Sequence, residues 1–124
     1  MQSETIRQRK LAYQIQALIS QIIDRKLKDP RKGFITVTHV KISRDLKIAS
    51  VYYTVLGDKA KRSQSQEALD SAKNFIRSEM APHLKMRFIP ELRFFYDDVM
   101  DYADHIDSLI KKIHRENPKD ESES

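Results

Sequence analysis

A chain of 124 residues, 40% of them hydrophobic, can bury one core and supports about one domain. Its formal net charge is +5, and because residues 117–124 carry a net −2 the remainder holds +7, a balance that suits a polyanionic partner. With no cysteine, disulfides, thiolate nucleophiles and cysteine-ligated zinc are excluded, and no apolar run approaches the roughly 20 residues needed to cross a bilayer.

In chain order, Leu11, Ala12, Ile15, Leu18, Ile19, Ile22, Ile23 and Leu27 recur at three- and four-residue spacing, which predicts an amphipathic helix from about Thr5 to Leu27. Thr5 and Gln8 have capping-box spacing at its start. At its exit Pro30 disfavours helical geometry at Asp29, and Gly33 can take positive φ, so a basic corner follows. Ile35 and Val37 then alternate and the phase slips to Val40 and Ile42. One extra residue shifts a period-2 pattern, so a bulge is expected near Thr38 or His39. Ala49, Val51, Tyr53 and Val55 form a second strand, joined to the first by a short hairpin around Ser43-Arg44-Asp45-Leu46.

Beyond a polar loop, Gly57 to Arg62, the spacing of Ser63 and Gln66 predicts a second capped helix. Leu69, Ala72, Phe75, Ile76 and Met80 continue it to about Ala81, where Pro82 demands a bend. Asn74 is a second candidate for a break, because asparagine enters left-handed conformations readily. Leu84 and Phe88 read as further core positions, and Leu92, Phe94 and Tyr96 alternate as a third strand after Pro90. Tyr102, Ile106, Leu109, Ile110 and Ile113 describe a final amphipathic helix, and the acidic tail 117–124 is expected to be disordered.

The order is helix, strand, strand, broken helix, strand, helix, an α+β arrangement. Three stretches carry a resemblance across about Leu11 to Asp97. The first is Leu27-Lys28-Asp29-Pro30-Arg31. The second is Ser43-Arg44-Asp45-Leu46 with Ala49 to Thr54 (ASVYYT). The third is Phe75-Ile76-Arg77 leading to Phe88 to Asp97 (FIPELRFFYD). In this order they resemble the bacterial ribosome-binding factor A family.

The resemblance implies a type II KH-like fold, helix-strand-strand-kinked helix-strand plus a C-terminal helix, with residues 1–116 as one RNA-binding domain. It implies a cytoplasmic monomer that binds 16S rRNA on the free 30S subunit during late maturation and pre-rRNA processing. Such a factor acts stoichiometrically, beside ribosomal proteins and assembly GTPases, without a cofactor and without a membrane. The family replaces the Gly-x-x-Gly loop of ordinary KH domains with an interrupted helix marked Ala-x-Gly. Ala72-Lys73-Asn74 stands at that place, with Asn74 where the family prefers glycine.

A broken helix suits RNA because its interior start exposes amide N–H groups and a positive dipole end to phosphate. Lys73 and Arg77 could add charge-assisted contacts there. Further basic candidates are Arg31 and Lys32 at the first corner, Arg44 and Lys47 at the hairpin, and Lys85 and Arg87 before the last strand. Together with Ala72, Lys73, Asn74 and Arg77 they form the expected RNA-binding set. The plain alternative is a set of solvated cations too scattered for more than nonspecific attraction. Tyr52 or Phe95 could stack on a base, although strand aromatics are more often packed.

Asp97-Asp98-Val99-Met100-Asp101 spells DDxxD, a magnesium-diphosphate pattern, but a short mixed chain cannot enclose the helical cavity that chemistry needs. An acidic first turn with Asp98 as cap is the simpler expectation. His39, His83, His105 and His114 lack ligand spacing, and no nucleophile elbow, Walker loop or dinucleotide fingerprint occurs. The reading is therefore of a binding protein rather than an enzyme. A protein-interaction or hibernation-type module and a metal-dependent nuclease are the competing classes.

Overall fold

The computed structural model describes residues 4–116, with the side chains of Met100, Asp101, Tyr102, Asp104 and Glu116 excepted. The tail expected to be disordered lies outside the described residues. Helix α1 spans Ile6–Arg25, strands β1 and β2 span Ile35–Ile42 and Ile48–Val55, and helices α2 and α3 span Lys59–Ser71 and Lys73–Met80. A 3-10 turn, Ala81–His83, leads to β3, Glu91–Tyr96, and α4 runs from Val99–Glu116. The three strands form one sheet in the order β1-β2-β3, antiparallel between β1 and β2 and parallel between β2 and β3. A parallel pair needs a crossover, and α2 and α3 supply it.

The capping box at Thr5 is present in both directions. Gln8 N–H donates to Thr5 Oγ1 at 3.0 Å and Thr5 N–H to Gln8 Oε1 at 2.9 Å. Ile15, Ile19 and Ile23, one turn apart, are buried against inward Val51, Tyr53 and Leu92 of the sheet and Leu69, Ile76 and Met80 of the crossover. Each such side chain contributes roughly 1.5–3 kcal/mol of burial. The bulge falls where the phase slip placed it, as the register of β1 on β2 shifts between Val37 and His39. Gly33 takes φ +63, as the corner required.

Four expectations need correction. Helix α2 starts at Lys59 rather than after Ser63, because Asp58 is extended and accepts the Lys61 N–H at 3.0 Å. A carboxylate suits a helix N-terminus, and Gln66 is used elsewhere: it donates to Phe94 O at 3.1 Å and accepts from the Tyr53 hydroxyl. The break falls at Ala72, and Asn74 sits in the first turn of α3. No left-handed residue is involved, since Ala72 has φ −93 and ψ 0. Its N–H is shared between Ala68 O and Leu69 O, both at 3.1 Å, which tightens the last turn before Ile76 N–H restarts the ladder on Ala72 O.

That restart changes the helical phase. Ile76 and Met80 point inward, whereas Phe75 is 41% exposed and Phe88, in the loop before β3, is 74% exposed. Neither is a core residue. Finally, Asp97 rather than Asp98 supports the start of α4, accepting the Val99 N–H at 3.1 Å.

Candidate nucleic-acid interface

Two adjoining cavities of about 310 and 570 Å3 form one groove between the start of α1, the β1-β2 hairpin and the loop before β3. Leu11, Leu46, Leu84 and Met86 give it apolar walls, while Arg7, Lys10, Lys47, Lys85 and Arg87 supply five cations. Arg7, Leu46, Lys85 and Met86 border both cavities. Gln14 Nε2 donates to His83 O at 3.0 Å and ties α1 to the opposite wall. The Arg87 guanidinium lies 5.4 Å from the centre of the exposed Phe88 ring.

The hairpin wall is held by Ser43. Its hydroxyl donates to Asp45 Oδ1 at 2.7 Å and accepts the N–H groups of Lys47 and Ile48 at 3.2 and 2.9 Å. The Ser43 hydroxyl first, and the Lys47 amide second, hold the Asp45 carboxyl below its usual pKa. Leu46 has φ +62, the one non-glycine residue at positive φ among those described. This conformation costs a β-carbon about 1–2 kcal/mol, and here it turns Leu46 towards the groove. Among the described residues Arg7, Lys10, Lys85 and Arg87 make no ion pair, so their charge is available to a ligand.

Of the ten expected residues, Lys47, Lys85 and Arg87 come together here, and Arg44 is exposed on the adjoining hairpin. The others lie elsewhere, and the four cations among them, Arg31, Lys32, Lys73 and Arg77, are engaged. Arg31 pairs with Asp29 at 2.7 Å, lies 3.7 Å from Glu67, and reaches Ser71 Oγ at 3.4 Å beside the helix break. Hydrogen bonds from Arg31 draw the Asp29 carboxyl down to about 2. Lys32 Nζ donates to Ile23 O at 2.6 Å and Leu27 O at 2.8 Å, neutralising the C-terminal end of α1.

Lys73 lies 3.5 Å from Asp70, and Arg77 donates to Ile89 O and Pro90 O at 2.8 and 3.1 Å, which fixes the chain entering β3. Ala72 and Asn74 belong to the break itself, where no side chain caps α3. Basic residues thus cluster at both ends of α1, whose rise of about 1.5 Å per residue separates Arg7 from Arg25 by about 27 Å.

Arg7, Lys10 and Phe88 were not among the expected residues. Arg7, Lys10 and Gln14 repeat at three- and four-residue spacing, so one polar face of α1 could have been read beside its apolar stripe. Phe88 carried no such signal. Of the acidic cluster, Asp97 is occupied by structural contacts, accepting from Thr38 Oγ1 at 2.7 Å and from Val99 N–H. No group of three or more His, Cys, Asp or Glu side chains capable of holding a metal occurs among the described residues. No described helix is long and apolar enough to cross a membrane.

Helices α1, α2 and α3 packed on one face of a three-stranded α+β sheet, the crossover broken at Ala72, and a basic groove define a KH-like protein. A family model for ribosome-binding factor A matches residues 7–110, and the chain belongs to that family, whose name denotes a binding factor and not an enzyme. It is 42% identical over 112 residues to ribosome-binding factor A from Macrococcus caseolyticus, covering 90% of this chain and 98% of that one. The crystal structure of ribosome-binding factor A from Thermus thermophilus superposes with a TM-score of 0.64 at 27% identity, over 72% of this chain and 94% of that one. A homology model of the Thermus thermophilus factor, as fitted into a cryo-EM map of its complex with 30S, aligns at 26% identity and TM-score 0.57. That alignment covers 77% of this chain and 96% of that one.

Proposed function

We propose that this chain is a stoichiometric assembly factor that binds 16S rRNA on the free 30S subunit during late maturation and pre-rRNA processing. The observation that carries the reading is the groove, where Arg7, Lys10, Lys47, Lys85 and Arg87 gather around apolar walls beside exposed Phe88. Cations without an internal ion pair attract phosphate, and an exposed ring offers a base a stacking surface. Membership of the family and the 30S complex of a Thermus thermophilus relative support the same partner. Residues 1–116 act as one RNA-binding unit, as a cytoplasmic monomer without a cofactor. Arg31, Lys32, Arg44, Ala72, Lys73, Asn74 and Arg77 would then serve as secondary contacts or as supports for the RNA-binding surface.

The mechanism needs no covalent step. Binding free energy favours one conformation of the RNA over another by the difference in affinity for the two, and release follows when the favoured conformation is lost. Assembly GTPases and neighbouring ribosomal proteins are the expected company.

Sedimentation of tagged protein with cell extract tests the proposal. The protein should travel with free 30S particles, and the double change Lys85→Glu, Arg87→Glu should release it to the top of the gradient while leaving Tm unaltered. Migration with 70S ribosomes would instead support a hibernation-type factor. In a salt titration, neutralising about five phosphates gives a slope of log affinity on log salt of roughly −3.5 to −4.5. Each groove cation removed should reduce it by close to one.

A further inference from the structure

Helices α1, α2 and α3 cover one face of the sheet, and the opposite face carries a second organised surface. The register places His39 opposite Tyr52 and Tyr52 opposite Phe95, so three rings form one row across β1, β2 and β3. His39 stacks on Tyr52 with centroids 4.2 Å apart and planes 7° from parallel, and Tyr52 meets Phe95 at 5.5 Å. The bulge makes this row possible, because the unpaired Thr38 turns His39 outward while Val40 and Ile42 return to the core. Asp97, 3.6 Å from His39 Nδ1, steadies the β1 end.

Two residues further along, about 6.6 Å away, the register places Lys41 opposite Ser50 and Ser50 opposite Arg93. A row of cation, hydroxyl and cation therefore lies beside the row of rings. Phe95 is 43% exposed on the edge strand β3, and among the described residues Tyr52 is the one aromatic ring paired with it. Arg93 lies 3.6 Å from Glu91 in a solvated pair that a phosphate can displace.

We infer that this open sheet face is a second binding site, for single-stranded RNA, in which an unpaired base extends the ring row at Phe95 and its phosphate lies against Arg93 and Lys41. A duplex is not the ligand, because its bases are already stacked and present no free π-face. Pure electrostatic attraction would not need rings aligned in register, and a hydrophobic protein partner would not need the cationic row. The site is separate from the basic groove and does not rest on the assembly reading.

The chain contains no tryptophan, so Tyr52→Trp introduces a single indole into the ring row. Its fluorescence should be quenched by a ten-residue single-stranded oligoadenylate and unchanged by an RNA duplex of equal length. Phe95→Leu should weaken binding of the single strand roughly 5- to 100-fold, measured by anisotropy of labelled oligoadenylate with or without the indole. Unchanged indole emission at oligonucleotide concentrations that saturate the anisotropy signal would overturn the inference. So would quenching by 30S particles but not by the oligonucleotide, or Phe95→Leu binding like the parent protein. Loss of 30S co-sedimentation would count against the assembly reading and leave this site standing.

Discussion

Asn74 and Leu46 exchange the roles that residue type suggests. Asparagine is the residue expected to turn left-handed, yet Asn74 lies in the first turn of α3, while Leu46 adopts φ +62. The reason is local in one case and tertiary in the other. Ala72 restarts the ladder by sharing its N–H between two carbonyls, which requires no positive φ. At Leu46 the Ser43 hydroxyl draws two amides inward, and contact of Leu46 with the core offsets the strain. Asn74→Gly should therefore destabilise the protein slightly, by no more than about 0.5 kcal/mol, because glycine costs a helix more than asparagine does. A measurable gain in Tm would show that a left-handed residue is needed there after all.

Element by element, the segment from the helix break to β3 divides its cations between support and availability. Arg77 holds the carbonyls of Ile89 and Pro90, whereas Lys85 and Arg87, in the loop that it steadies, have no internal ion pair among the described residues. Arg77→Met removes two charge-assisted hydrogen bonds and should cost about 2 kcal/mol, a fall in Tm of roughly 5–10 °C. If the Arg77 guanidinium were itself the principal RNA contact, affinity would fall with little change in Tm, the reverse of this expectation. The apolar stripe of α4 remains exposed at Ile106, Leu109, Ile110 and Ile113. The spacing read from the sequence was right for a helix, and periodicity alone cannot say whether a stripe is covered.

At the scale of the whole molecule, the response to pH is set by groups at opposite ends. Arg31 depresses Asp29 to about 2, and hydroxyl and amide donors lower Asp45 and Asp97. A carboxyl depressed in the folded state contributes stability that is present above the usual 3.8 and is lost as pH falls towards the folded value. Tm should thus be level down to about pH 4 and decline from there to about pH 2, with Asp29→Asn showing a shallower decline. Burial first, then the nearby charge of Asp70, pushes Tyr53 up to about 12. That contribution is complete below its ordinary value of 10 and disappears as pH rises from 10 to 12, which ultraviolet titration of tyrosine alongside circular dichroism will read. An acid limb that did not respond to Asp29→Asn would remove Asp29 from the account.

The sequence by itself determined what depends on neighbours along the chain. Burial period and capping chemistry marked α1 and its Thr5 cap, the slip from Val37 to Val40 marked the bulge, and Pro90 with Leu92 and Phe94 marked β3. The break was legible to within two residues. Only the tertiary structure decided which cations meet, because Arg7, Lys47 and Lys85 are brought together by a helix start, a hairpin and a loop far apart in the chain. It also decided that Lys32 and Arg77 are held by carbonyls at the end of α1 and before β3, whereas the main partner of Arg31 is its near neighbour Asp29. Short-range order follows from local sterics and hydrogen bonding, whereas a site is a coincidence of separate elements, set by how the core packs them.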